Sequence, residues 1–235
     1  MIGAMLATDA RAAASTWRPQ EFGAKRAADI KDPLVEPLWN GLRVLAFVAA
    51  GDARLIDVYG DEVDGHDDVA SELVTASSAA TLLIEGVLTP EPLRPASDVA
   101  TRERVGPPGT SKTVTTMVVG DRGDRKDRLT VRADEAKRRS ENPVGPVALV
   151  AVDLLWLDDQ SLCDVPLLER RRVLESVLTE SELVRIGIFV KPPIDTWLGA
   201  WRSFGFNRVT FKGANSRYLP GRSNADWGVA DIPRR

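Results

Sequence analysis

Two stretches of this 235-residue chain carry residue types that could act on a ligand. The first is Glu36–Val48, EPLWNGLRVLAFV. Pro37 fixes its own φ and pushes Glu36 toward extended geometry. Asn40-Gly41 is the dipeptide that most readily supplies left-handed backbone angles. Arg43 then opens a run, Val44 to Val48, with no polar side chain, which is the pattern of a buried strand. A turn that delivers an arginine to the mouth of a buried strand can present charge to a ligand. The second stretch is Gly106–Thr113, GPPGTSKT. It falls one residue short of the phosphate-cradling G-x-x-x-x-G-K-[ST] loop, because Ser111 stands where the second glycine belongs. Val147–Asp153 resembles the apolar strand whose terminal aspartate holds magnesium in P-loop NTPases. Such a loop needs a buried strand before it and a helix after it, so that helix N–H groups meet the phosphates. Here the charged DVATRERV precedes it and the β-branched TVTTMVV follows. A Pro/Gly surface loop is therefore the expectation, with a P-loop NTPase as the lesser alternative.

Other polar groups offer less. Gly60–Asp68, GDEVDGHDD, has the composition of a cation site but not the EF-hand spacing, and reads as a solvated turn. His66, the only histidine, is expected at the surface. The only cysteine, Cys163, excludes an internal disulfide framework and suits a reducing cytoplasm. A net charge of −3 gives no long-range pull toward nucleic acid. No apolar run has bilayer-spanning length, and the early acid of MIGAMLATDARAAASTW argues against a signal peptide. A cytoplasmic protein without a membrane partner is expected.

The elements that must position these residues follow from periodicity. Residues 1 to about 30 are alanine-rich and predict a short helix with an irregular lead-in. Strands are expected at Arg43–Val48, Ala53–Val58, Thr81–Leu88, Lys112–Val119, Val147–Trp156, Leu183–Val190 and Val209–Lys212. Asp121–Arg128, DRGDRKDR, balances its charges like a hairpin tip. Helices are expected at Ala133–Glu141, at Pro166–Leu178 with a basic face beside its leucines, and at Thr196–Phe204. The sum is an α/β (α+β) chain of two packed, largely antiparallel sheets with flanking helices.

Taken together the segments resemble the adenylation (nucleotidyltransferase) domain of ATP-dependent DNA ligases, which implies an ATP-grasp-like nucleotidyltransferase fold. VEPLWNGLR resembles that family's nucleophile motif, E-x-K-x-D-G-x-R. VDLLWLDDQSLCDVPLLERRRVLESVL resembles its long strand–turn–helix stretch, and VTFKGANSRYLPGRSNADW the segment from E-G-x-x-x-K through S-x-Y-x-P-G-R-S to D-W. Order and spacing fit from about residue 30 onward, giving a lead-in at 1–30 and an adenylation domain at 31–235. No segment matches the OB-fold domain that such ligases use to clamp DNA.

The resemblance implies ATP, Mg2+ and DNA, yet it breaks where the chemistry would occur. The family's lysine attacks the α-phosphate of ATP, a step that needs an unprotonated amine; the matching residue is Leu38. Lys31 is seven residues upstream, up to about 23 Å of extended chain. The following aspartate becomes Asn40, and the third motif's arginine becomes Val58. D-G-E reads Glu85-Gly86-Val87, so the metal-binding glutamate is Val87. The fourth motif's Glu-Gly is Asn207-Arg208, and the final K-x-K falls on Val229 and Asp231. Glu36, Gly41, Arg43, Gly60, Gly86 and Lys212 persist, with Glu36, Arg43 and Lys212 as residual nucleotide-pocket positions. An ion pair between Arg43 and Glu36, and an apolar cluster of Leu38, Val87 and Val229, are expected. The resulting expectation is a catalytically inactive pseudo-ligase, a binding or scaffolding module in a DNA-repair setting with an unidentified protein partner. A ligase-family enzyme using another nucleophile or a partner chain is the alternative.

Overall fold

The computed structural model describes residues 9–89 and 147–233. The GPPGTSKT loop, the strand expected at Lys112–Val119, the run Asp121–Arg128 and the helix expected at Ala133–Glu141 lie outside the described residues. In chain order the elements are α1 (Ala10–Thr16), β1 (Glu21–Phe22), β2 (Pro33–Pro37), β3 (Leu42–Ala49), β4 (Asp52–Ile56), α2 (Asp67–Ala76) and β5 (Thr81–Thr89). They continue with β6 (Ala148–Leu157), β7 (Gln160–Ser161), α3 (Leu167–Val177), β8 (Val184–Ile186), α4 (Asp195–Ser203), β9 (Arg208–Gly213), β10 (Ser223–Asn224) and β11 (Trp227–Asp231).

The large sheet runs β4-β3-β5-β6-β7, antiparallel throughout, with β8 added parallel to β6. The small sheet is antiparallel, in the order β11-β9-β2. Strands β3 and β6 are almost continuously apolar because both faces of the large sheet are covered. One face packs Val44, Ala46 and Ile84 against Leu73 of α2 and Leu174 of α3. The other packs Leu45, Phe47 and Leu83 against Trp17, against Ala13 and Ala14 of α1, and against Leu34 and Trp227 of the small sheet. The back of the small sheet, Val35 and Val209, meets Trp197 and Trp201 of α4. Two packed antiparallel sheets with flanking helices are therefore what the chain forms.

Local chemistry explains the joints. The β3–β4 hairpin turns on Ala50 and Gly51, both with positive φ (55° and 78°), the pairing that matches the twist of the flanking strands. In the WNG turn only Gly41 takes positive φ, 137°, and a Cβ there would lie 1.9 Å from the Leu88 carbonyl oxygen. Glycine is required twice over at that position. Asp9 caps α1 by accepting the Ala12 N–H at 2.8 Å.

Several expectations need correction. His66 is buried at the start of α2, not at the surface. Helix α2 itself escaped notice, although Val69, Leu73 and Ala76 sit at helical spacing. The strand expected over Leu183–Val190 is only Val184–Ile186, with Val190 bridging Val35 separately. The polar stretch after Lys212 contains β10 and β11.

Candidate functional site

The inner faces of the two sheets carry most of the buried charge. Cross-strand register places Arg43, Val87 and Val150 in one row of the large sheet, and Leu45, Glu85 and Asp153 in the next. Opposite them, β2, β9 and β11 contribute the rows Glu36–Thr210–Val229 and Leu34–Lys212–Trp227. Leu34 and Trp227 share a core with Leu45 and Leu83, so the two faces look at each other.

Each charge retained from the expected pocket already has a partner. Lys212 Nζ donates to Glu36 Oε2 at 2.6 Å, both residues being buried, and sits 4.5 Å from the centre of the Trp227 ring. Arg43 does not pair with Glu36. Its Nε donates to Glu85 Oε1 at 2.5 Å, and its Nη2 lies against the same oxygen. Register decides this, because Glu85 stands diagonally across from Arg43 on the neighbouring strand while Glu36 belongs to the other sheet. The second oxygen of Glu85 accepts from the Tyr218 hydroxyl at 2.6 Å, and that hydroxyl accepts the Gln20 N–H at 2.9 Å. Burial, reinforced by the charge of Glu85, pushes the Tyr218 phenol well above its ordinary pKa. The Arg43 guanidinium also lies 5.6 Å from the Phe22 ring centre, so the segment after α1 closes this end of the cleft.

A third pair was missed in the sequence. Arg170 of α3 grips Asp153 with Nε at 2.8 Å and Nη2 at 2.7 Å, both residues fully enclosed. Burial works to lower the Arg170 pKa, but the charge of Asp153 and the paired hydrogen bonds hold it above its ordinary value. Both Asp153 oxygens thus accept from Arg170. The signal was present in the sequence: Arg170 lies three residues after Leu167 and four before Leu174, on the core stripe of the helix. The expected basic face is largely buried, since Arg171 also turns inward and donates to the carbonyls of Gly187 and Ala151.

The three aliphatic replacements do not converge. Val87 packs with Trp39, Val35 and Val150. Leu38 and Val229 are half-buried and belong to none of the three apolar cores. The Leu38 N–H donates to the Arg208 carbonyl at 3.0 Å, extending the β2–β9 ladder by one rung. Val58 is half-buried beyond β4. Some buried polar atoms stay without a hydrogen bond, among them Glu36 Oε1, Thr210 Oγ1 and Trp39 Nε1.

Comparison with known proteins agrees with this architecture. The family model described as ATP dependent DNA ligase domain matches residues 114–228, just under half of the chain. The ligase domain of M. tuberculosis LigD is similar at a TM-score of 0.57 and 18% identity, covering 91% of this chain and 58% of that one. Mycobacterial DNA ligase D complexed with ATP and MES gives 0.59 and 18%, covering 91% and 59%. A structure named Pmar-Lig_PreS3 gives 0.53 and 12%, covering 92% and 46%. The chain thus spans less than two thirds of the length of each. Comparison with curated protein sequences returned no significant match. Among the described residues no helix is long and apolar enough to cross a membrane.

Proposed function

We propose that this DNA ligase adenylation-domain-like protein is a pseudo-ligase, a cytoplasmic binding or scaffolding module that does not transfer nucleotidyl groups. The observation that carries the reading is Leu38. It stands on the turn between β2 and β3 at the place where the resemblance puts the nucleophilic lysine, and an alkyl side chain has no lone pair with which to attack phosphorus. The surrounding residues fit a reacting magnesium nucleotide no better. Val87 offers no oxygen to a metal, Lys212 and Arg43 are each neutralised by Glu36 and Glu85, and Val229 replaces a phosphate-binding lysine. Family analogy supplies DNA as the partner to test first and DNA repair as the setting.

Incubation with ATP and magnesium, followed by intact-mass measurement, tests the proposal. The expected result is an unchanged mass. A covalent increment of one AMP would overturn it in favour of a ligase-family enzyme with another nucleophile. Released phosphate without an adduct would also overturn it.

A further inference from the structure

Arg185 stands apart among the buried cations. It is only 8% exposed, and although its backbone joins the β6–β8 ladder, its side chain makes no hydrogen bond or ion pair with any described residue. The other buried side-chain charges between the sheets cancel in three pairs, Glu36 with Lys212, Arg43 with Glu85 and Asp153 with Arg170. Arg171 spends its protons on backbone carbonyls. An uncompensated guanidinium this deeply held is costly unless an anion meets it.

Its placement is well defined. Arg185 is the cross-strand partner of Val150, which is the partner of Val87, which is the partner of Arg43. Its neighbours Val184 and Ile186 point the other way, into the core beneath α2 and α3. Gly187, two residues on, faces the side chains of Val150 and Val152. Arg185 therefore lies on the same inner face as Arg43, three strands away and roughly 14 Å across the sheet. Between the two arginines in this row stand Val87 and Val150, both buried in the apolar core that includes Val35 and Trp39. Glu85 and Asp153, the carboxylates of that face, bond Arg43, Tyr218 and Arg170 rather than Arg185. None of the Arg185 nitrogens is among the enclosed unsatisfied atoms, so the group keeps contact with solvent at the cleft edge. The indole N–H of Trp39, which packs in the same apolar cluster as Val87 and Val150, is enclosed and has no acceptor.

We infer that Arg185 is the anchor of an anion-binding site at the β8 edge of the cleft, and that its ligand is a phosphate group. A planar, permanently charged fork suits bidentate contact with phosphate oxygens. The phosphate can be free or the terminal phosphate of a nucleic-acid strand. The inference deepens the reading of the chain as a binding module but does not depend on catalytic silence. An AMP adduct would sink the latter and leave this site untouched.

Titration of the full chain with inorganic phosphate, against sodium chloride of equal ionic strength, tests it by melting temperature. The expected result is a rise of a few degrees with phosphate alone, abolished in Arg185→Met, which keeps the side-chain stem. If a 5′-phosphorylated oligonucleotide binds at least tenfold more tightly than its unphosphorylated twin, and Arg185→Met removes the difference, the source is a strand end. If the twins bind alike while inorganic phosphate binds, the source is free phosphate. No phosphate-specific shift in the unmodified protein, or a shift retained in Arg185→Met, overturns the proposal. Should Arg185→Met fail to fold, Arg185→Lys keeps the charge but loses the fork, and a shift undiminished in that variant overturns it equally.

Discussion

Lys212 and Glu36 illustrate how a retained residue can change its work. Both occupy positions that the sequence singled out, but in the fold they neutralise each other at 2.6 Å behind a wall of Trp227 and Leu34. Breaking one half of a buried pair strands the other charge, so Lys212→Met alone should cost about 3–5 kcal/mol. The double variant Lys212→Met with Glu36→Gln should recover most of that loss, which urea denaturation of the three proteins would show. Equal instability of the single and double variants would mean that the pair contributes packing and little electrostatic compensation. Lys212 and Arg43 were visible in the sequence because each sits beside an apolar run. Their partners were less so. Glu85 lies 42 positions from Arg43, and only strand register brings them together. Asp153 and Arg170 were legible in principle, since an acid inside VALVAVDLLW and a base on a leucine stripe each demand a counter-ion.

At the scale of elements, the turn between β2 and β3 holds the two sheets in relation to each other. Gly41 combines φ of 137° with a backbone oxygen where a side chain would begin. Gly41→Ala should therefore destabilise by about 3 kcal/mol or more, through left-handed strain and overpacking together. A circular-dichroism melt would detect it, and a loss below about 1 kcal/mol would show that Leu88 gives way easily. Strands β3, β5 and β6 and helices α3 and α4 were legible because their apolar periodicity is long. Helix α2 was hidden by its first turn, where Asp67 and Asp68 extend the acidic loop in composition while favouring a helix start. Strand β11 was hidden because Gly228 and Asp231 dilute its pattern, and its pairing with β9 comes from tertiary context.

For the molecule as a whole, burial of weak acids sets an alkaline limit. The Cys163 thiol is pushed from its ordinary 9.0 up to about 12 by burial, and Tyr218 is raised well above 10 by burial and Glu85. Both groups stay protonated when folded and ionise when unfolded, so they favour the folded state fully below pH 9. Their contribution declines as pH climbs through the unfolded values of 9.0 and 10.0. Urea midpoints should therefore fall between pH 8 and pH 10.5, and Cys163→Ala should flatten the early part of that fall. A midpoint that rises over this interval would contradict the assignment.

The small sheet also imposes an order of events during synthesis. Its strand β2 leaves the ribosome early, but the partner strand β9 begins only at Arg208. At about 5–20 residues per second, the edge of β2 waits on the order of ten seconds or longer for its ladder. The hairpin of β3 and β4 and its pairing with β5 need no such delay, so the Arg43–Glu85 pair can close while Glu36 still faces water. Capture of Glu36 by Lys212 is then among the last steps, and β10 locks over β1 immediately afterwards. A chain released before residue 208 would hold a finished large sheet whose inner face is covered only by α1 and Trp17, a species with apolar surface open to a chaperone.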